Sequence, residues 1–527
     1  MARPERQVIP TSAGIFDSAT LLFLLATLIF LYAFLFVLPF IPIDIHGDGV
    51  VWISDAKRMY EAEVMYRDFF EFLAPGTPLV FFCLFKSFGP RLWIPDVALL
   101  ALGLALAWLG VVTAKKLMRP GTALLSSAIF LVGVYKNQLD PTHHWFSLLC
   151  TTAALALLLE RRTLARIAGA GFFCGLTACF TQTRGLAVVV GFGVFLWWES
   201  RRRGETVREL LKKQAWLVAG FLATIIAVDA YFIWEAGLVR FLWNTIIFPV
   251  KYGPKMADVD SLLVFRRDLP EFTSLSNFLL RSMGWLFLYS VIPFIYILFF
   301  ARYRRESGKQ PSEFWERPML LAIVGSFMLL SVAPAPSYLR VSASALLGVI
   351  LLGWFIDSAR KLRPILLGAL TLGILVVIPH AVTRSPCFKA SIIATPQGEL
   401  AERDVDRQAY TEYIWVQQHT RPSEYFYKPA DADMYFSLNL RNPTPMPFVV
   451  NNAFTTRDQV AEVIRGLKQH PVRYILWSHN KDDDLDTIPY WENPSDDHLG
   501  PLRDYIHSHY RPVEVFANSD EIWGRKD

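Results

Sequence analysis

The sequence predicts a polytopic α-helical membrane protein of about 11 transmembrane helices with a soluble C-terminal α/β domain. Three observations predict it. Apolar runs near the ~20 residues that cross a bilayer recur between residues 21 and 378. Hydrophobic residues are 53% of the 527, with 40 Phe, 16 Trp and a mean hydropathy of +0.32, which exceeds the needs of a soluble core. The charge is also divided: residues 382–527 carry about −6 and the rest about +11. That basic excess fits cytoplasmic loops and lipid phosphates better than nucleic acid.

Taken in order, Arg3 and Arg6 precede a first run, Leu21 to Ile43, that is too long for a signal peptide and lacks a small-residue cleavage site. Thr77 to Gly89 is apolar, short and interrupted by Lys86, so it reads as a re-entrant or surface helix. The remaining spans are Leu92–Ala114, Ala123–Tyr135, Trp145–Leu159, Ile167–Phe180, Leu186–Trp198, Trp216–Ala236, Trp285–Phe300, Leu320–Ala333, Ser342–Ile356 and Ile365–Ile378. With this count every basic cluster (Lys115/Lys116, Arg161/Arg162, Arg201–Arg203, Arg304/Arg305, Lys361/Arg363) falls on the side of the N-terminus. The positive-inside rule makes that side cytoplasmic. Residues 44–91 and 237–282 become outer loops. The domains are then 1–381 in the membrane and 382–527 outside it. In the latter, Thr456–Gln469 has helical spacing with Thr455/Thr456 as caps. Tyr425–Lys428, Val472–Trp477, Val513–Ala517 and Glu521–Trp523 read as strands.

The chemistry concentrates in residues 44–78, which hold Asp44, Asp48, Asp55, Glu61, Glu63, Asp68 and Glu71 beside an apolar span. Carboxylates so close to hydrocarbon are costly unless solvated or functional. After Gly49, Trp52, Ala56, Met59 and Tyr60 fall on one helical face, which predicts a helix lying flat at the membrane surface. Asp48 stands between Gly47 and Gly49, where the backbone turns freely and another group can approach. By the residues alone Asp48 is either a catalytic base or the N-cap of that helix. Asp44 reads as an interfacial residue, and Asp229 with Glu235 as a helix-boundary pair.

An Asp after the first span, an amphipathic helix and then Tyr66-Arg-Asp-Phe-Phe-Glu-Phe-Leu-Ala-Pro-Gly-Thr-Pro-Leu79 resembles the first outer loop of integral-membrane GT-C glycosyltransferases. The likeness is to the branch of protein O-mannosyltransferases and lipid A aminoarabinose transferases, and it covers roughly residues 20 to 185. The resemblance implies inverting transfer of a sugar from a polyprenyl-phosphate donor to a glycan, lipid or protein acceptor, with Asp48 as catalytic base. It implies a metal- or acceptor-linked role for Glu71 and an acidic partner at Asp140. It leaves open a divalent ion, Mg or Mn, held by Asp48, Glu71 and Asp140.

A leaving phosphate needs cations. Lys136, Arg184 and Arg340 are lone basic residues in short outer loops, against the positive-inside bias, so they are candidates for donor phosphate. His143 is a further candidate. On a helix, adjacent His143 and His144 point about 100° apart and make a poor joint metal site. Lys251, Lys255, Arg266 and Arg267 in the long loop are weaker candidates. The five cysteines show no CxxC spacing and no disulfide framework. No P-loop, GxSxG or HExxH motif supports ATP hydrolysis, serine hydrolysis or zinc proteolysis. Two alternatives stay open: a lipid-linked sugar transporter or flippase, and a surface-polysaccharide polymerase or ligase.

Overall fold

The computed structural model describes residues 17–45, 47–257, 269, 270, 272, 274–359, 361–383, 385–402, 407–429, 432–449, 455–478, 498–517 and 520–526. His46, Arg266 and Arg267, and the side chain of Lys255, lie outside them.

Helix α1, Ser18–Leu35, starts at Asp17, whose carboxylate accepts the Thr20 N–H at 2.8 Å. It ends eight residues before the expected Ile43. Residues 36–42 instead form a small hairpin of β1 (Phe36–Val37) and β2 (Ile41–Pro42). Two prolines, Pro39 and Pro42, withhold the amide protons that a helix would need there. Next come α2 (Asp48–Tyr60) and α3 (Gly76–Phe88). Thirteen residues make α3 about 20 Å long, short of a ~30 Å hydrocarbon core.

The bundle continues with α4 (Ile94–Lys115), α5 (Pro120–Gly133), α6 (His143–Glu160), α7 (Leu164–Phe180), α8 (Gln182–Arg203) and α9 (Val207–Ala236). Later helices occupy Asn277–Glu306, Ser312–Leu330, Ala345–Ser358 and Arg363–Val382. Each coincides with an expected span. Among the described residues five helices are long and apolar enough to cross a membrane: Ser18–Leu35, Ile94–Lys115, Val207–Ala236, Asn277–Glu306 and Arg363–Phe388. Small residues let the helices approach. A Cβ on Gly171 would come within 2.1 Å of the Leu217 carbonyl, and one on Gly220 within 2.2 Å of the Ala168 carbonyl, so α7 and α9 touch backbone to backbone.

At one end of the bundle the basic residues are answered by acids. Arg162 and Arg203 share Glu199 and Glu316 at 2.8–3.3 Å, and Lys115 meets Asp17 at 2.6 Å. The Asp48 end carries the C-terminal domain. There β5 (Tyr474–Ser478) and β6 (Tyr510–Val515) flank β7 (Asp520–Arg525) in an antiparallel sheet. Helix Arg457–Gln469 begins with a capping box of Thr456 and Gln459, and packs Val460, Val463 and Leu467 beside Ile475 and Trp477. The expected strand at Tyr425–Lys428 is reduced to isolated bridges at Tyr425 and Tyr427. A separate hairpin, β3 (Ser391–Thr395) and β4 (Gly398–Glu402), lies by β2, and the Asp44 N–H donates to Ala401 O.

The domain changes the setting of α2. The expected surface helix is covered on nearly all sides: Asp55 is fully buried, and Lys57 and Arg58 are buried too. Lys57 Nζ donates to Leu440 O at 2.9 Å and Arg58 Nη1 to Thr444 O at 3.0 Å, while Phe70 N–H reaches Pro445 O. The polar face that would have met water meets backbone carbonyls from nearly 400 residues further along the chain.

Candidate active site

Asp48 lies in the first turn of α2, behind an N-cap at Gly47 with φ of +82°. Its carboxylate does not cap the helix. Asp140 does so from the second loop, its Oδ1 accepting the Gly49 N–H at 2.8 Å. Both glycines are required by this approach. A Cβ on Gly49 would fall 2.2 Å from Asp140 Oδ1, and one on Gly47 2.9 Å from Oδ2. The structure thus brings Asp48 and Asp140 together and divides their work: Asp140 holds the helix end and Asp48 is left accessible to solvent. Surrounding protein nevertheless desolvates Asp48 enough to raise its pKa, with the Arg340 charge opposing the rise.

Arg340 belongs to the short helix Tyr338–Ser342, capped by Ser337. Its guanidinium is exposed, with Nη1 directed at Ala335 O at 3.3 Å. Arg184, expected to hold phosphate, is instead 1% exposed, and its Nη atoms donate to His144 O, Ser147 Oγ and Arg340 O at 3.0, 2.8 and 3.4 Å. It braces the loop that presents Arg340. Lys136 sits against α1, with Nζ 5.0 Å over the Phe34 ring and bonded to Asn137.

His143 and His144 open α6 after the Thr142 cap. Both are buried with Nδ1 unpartnered, and their rings lie 3.9 Å apart, closer than the helical spacing alone led us to expect. The edge of Trp52, one turn along α2 from Asp48, meets His143 at 5.4 Å between ring centroids.

Glu71 is buried, and its Oε1 accepts the Phe72 and Leu73 N–H groups at 2.7 and 2.8 Å. Nearby Asp55 is fully buried with neither carboxyl oxygen hydrogen-bonded, and the charge of Glu71 opposes its ionisation. Burial raises both carboxyls, Glu71 to about 7. Asp55 follows Asp48 by seven residues and so shares its face of α2. That spacing was the available signal for it.

The described donors are not gathered around one point for the divalent ion that the family resemblance leaves open, and His46, two residues before Asp48, lies outside them. Among the described residues no group of three or more His, Cys, Asp or Glu is placed to share one. Asp140 is engaged with the end of α2 and Glu71 with two backbone amides. Elsewhere, Lys251 rests 5.5 and 5.2 Å over Trp243 and Tyr252, Asp229 is buried in α9, and Glu235 pairs with Arg67. Gln182 ties the first loop to the long loop through Phe72 O and Thr245 O.

No family model matches the sequence, and no curated protein matches it. Solved structures show a distant likeness. A crystal structure of the Archaeoglobus fulgidus oligosaccharyltransferase with zinc and sulfate gives a TM-score of 0.49 at 11% identity, covering 86% of this chain and 67% of that one. ArnT from Cupriavidus metallidurans in the apo state gives 0.43 at 12%, covering 96% and 98%. The oligosaccharyltransferase AglB of Archaeoglobus fulgidus, with an inhibitory peptide and a dolichol-phosphate, gives 0.48 at 12%, covering 97% and 74%. At these scores the chemistry of this chain rests on its own side chains.

Proposed function

We propose that the chain is a membrane glycosyltransferase that moves a sugar from a polyprenyl-phosphate-linked donor to an acceptor hydroxyl. The observation that carries this reading is the pairing of an accessible, partly desolvated Asp48 at a helix N-terminus with an exposed arginine in its field. Asp48 takes the acceptor proton as the acceptor oxygen attacks the anomeric carbon. The bond from that carbon to the phosphate oxygen breaks, and the configuration inverts. Arg340, positioned by buried Arg184, receives the phosphate as its charge grows. The raised pKa keeps Asp48 a stronger base than a free carboxylate, while Arg340 keeps it ionised.

The face bearing Asp48 and the C-terminal domain is read as extracytoplasmic, with the N-terminus and the basic end in the cytosol. The protein then works as a multi-pass protein of a plasma membrane, on a substrate already carried across it. Purified protein in lipid, given radiolabelled polyprenyl-phosphate hexose and membrane acceptors, transfers label. Asp48→Asn loses about a hundred- to ten-thousand-fold of that rate, with melting unchanged. Full activity in that variant would overturn the reading.

A further inference from the structure

A cavity of about 330 Å³ lies between the β1–β2 hairpin, the entry to α4 and the β3–β4 turn. Its volume lies at the small end of the roughly 300–1,000 Å³ typical of ligand sites. Phe40 and Trp93 wall it on one side, with ring centroids 6.2 Å apart. Arg91, Gln397 and Glu399 line the rest.

Three features mark it as built for a ligand. Arg91 and Glu399 are exposed and opposite in sign, yet among the described residues neither side chain makes an ion pair or hydrogen bond. Gln397 is fixed by its Nε2, which donates to Phe436 O at 2.6 Å and holds the β3–β4 turn beside Glu399. The cavity also lies beside the end of α1 and the start of α4, with exposed Phe40 in its wall and exposed Leu38 and Phe88 on the neighbouring segments, the kind of apolar rim that meets lipid headgroups.

We propose that this cavity binds the headgroup of a zwitterionic phospholipid carrying a primary ammonium, phosphatidylethanolamine. The planar guanidinium of Arg91 matches a phosphate. Glu399 accepts from the ammonium, and the aromatic wall takes the glycerol and upper acyl chains. A purely anionic headgroup would face Glu399 with like charge. A choline headgroup has no N–H for Glu399.

The test is native mass spectrometry of the delipidated full chain after re-addition of phosphatidylethanolamine, phosphatidylglycerol or phosphatidylcholine, with soluble O-phosphoethanolamine as competitor. Phosphatidylethanolamine is retained preferentially, and Arg91→Gln lowers its retention about tenfold, the loss of one charge-assisted contact. Glu399→Gln keeps binding but abolishes preference over phosphatidylglycerol. Both positions are exposed, so melting stays as in the parent. Equal retention of the three lipids, or unaltered retention in Arg91→Gln, overturns the proposal. Displacement by equimolar O-phosphoethanolamine overturns the lipid assignment in favour of a free headgroup.

Discussion

The two ends of the bundle handle charge differently. At the basic end opposite charges adjoin: Arg162 and Arg203 lie within 3.3 Å of Glu199 or Glu316, and Lys116 meets Glu160 at 2.9 Å. At the Asp48 end Lys57 and Arg58 are likewise paired, with Glu61 and Glu63, but like also lies near like. Buried Asp55 feels the charge of Glu71, and the Arg184 guanidinium bonds to the backbone of Arg340. Paired charges cost least when nothing is asked of them. Adjacent like charges are stable only with a shared proton or a counter-charge from outside, which is the condition of a site awaiting a substrate.

This contrast can be broken by mutation. The largest effect falls on turnover at the Asp48 end, where Asp48→Asn removes the base and leaves melting alone. Next is the basic end, where Glu199→Gln leaves Arg162 and Arg203 with Glu316 alone. Stability drops on the order of 3 kcal/mol while activity per folded molecule is unchanged, as parallel melting and turnover assays check.

A third test uses the pair of buried acids. The folded pKa of Glu71 is raised, so its contribution is fully present below the ordinary carboxylate range and is lost as pH climbs through about 7. Melting temperature in lipid therefore falls from pH 5 to pH 8, on the order of 2–3 kcal/mol in stability, and Glu71→Gln flattens that slope. A slope unaltered by the substitution would place the titration elsewhere. The smallest effect sharpens the role of Arg340. Its charge lowers the pKa of Asp48, so Arg340→Gln moves the acid limb of kcat/KM to higher pH. A limb that stayed put would separate the two residues.

The sequence made the helices legible because apolar runs and basic clusters report on the bilayer directly. It also marked Asp48 and Asp140, whose glycine and loop settings are local features. What it hid depended on contacts across the chain. The burial of Lys57 and Arg58 involves Leu440 and Thr444, which no periodicity around position 55 can announce. Arg184 looked like a phosphate ligand because a lone outer cation has two uses, and only its bonds to His144, Ser147 and Arg340 show which one it serves. The residues alone leave Asp48 as either base or cap of α2, and the cap that forms is Asp140, which arrives from 91 residues away.

Helix α2 is a rigid rod of thirteen residues, about 20 Å long, fastened at both tips. Asp140 grips the tip that carries Asp48, and the carbonyls of Leu440 and Thr444 grip Lys57 and Arg58 near the other. A displacement of the C-terminal domain is therefore delivered along the rod to Asp48, which makes that domain the anchor for the carboxylate proposed as the base.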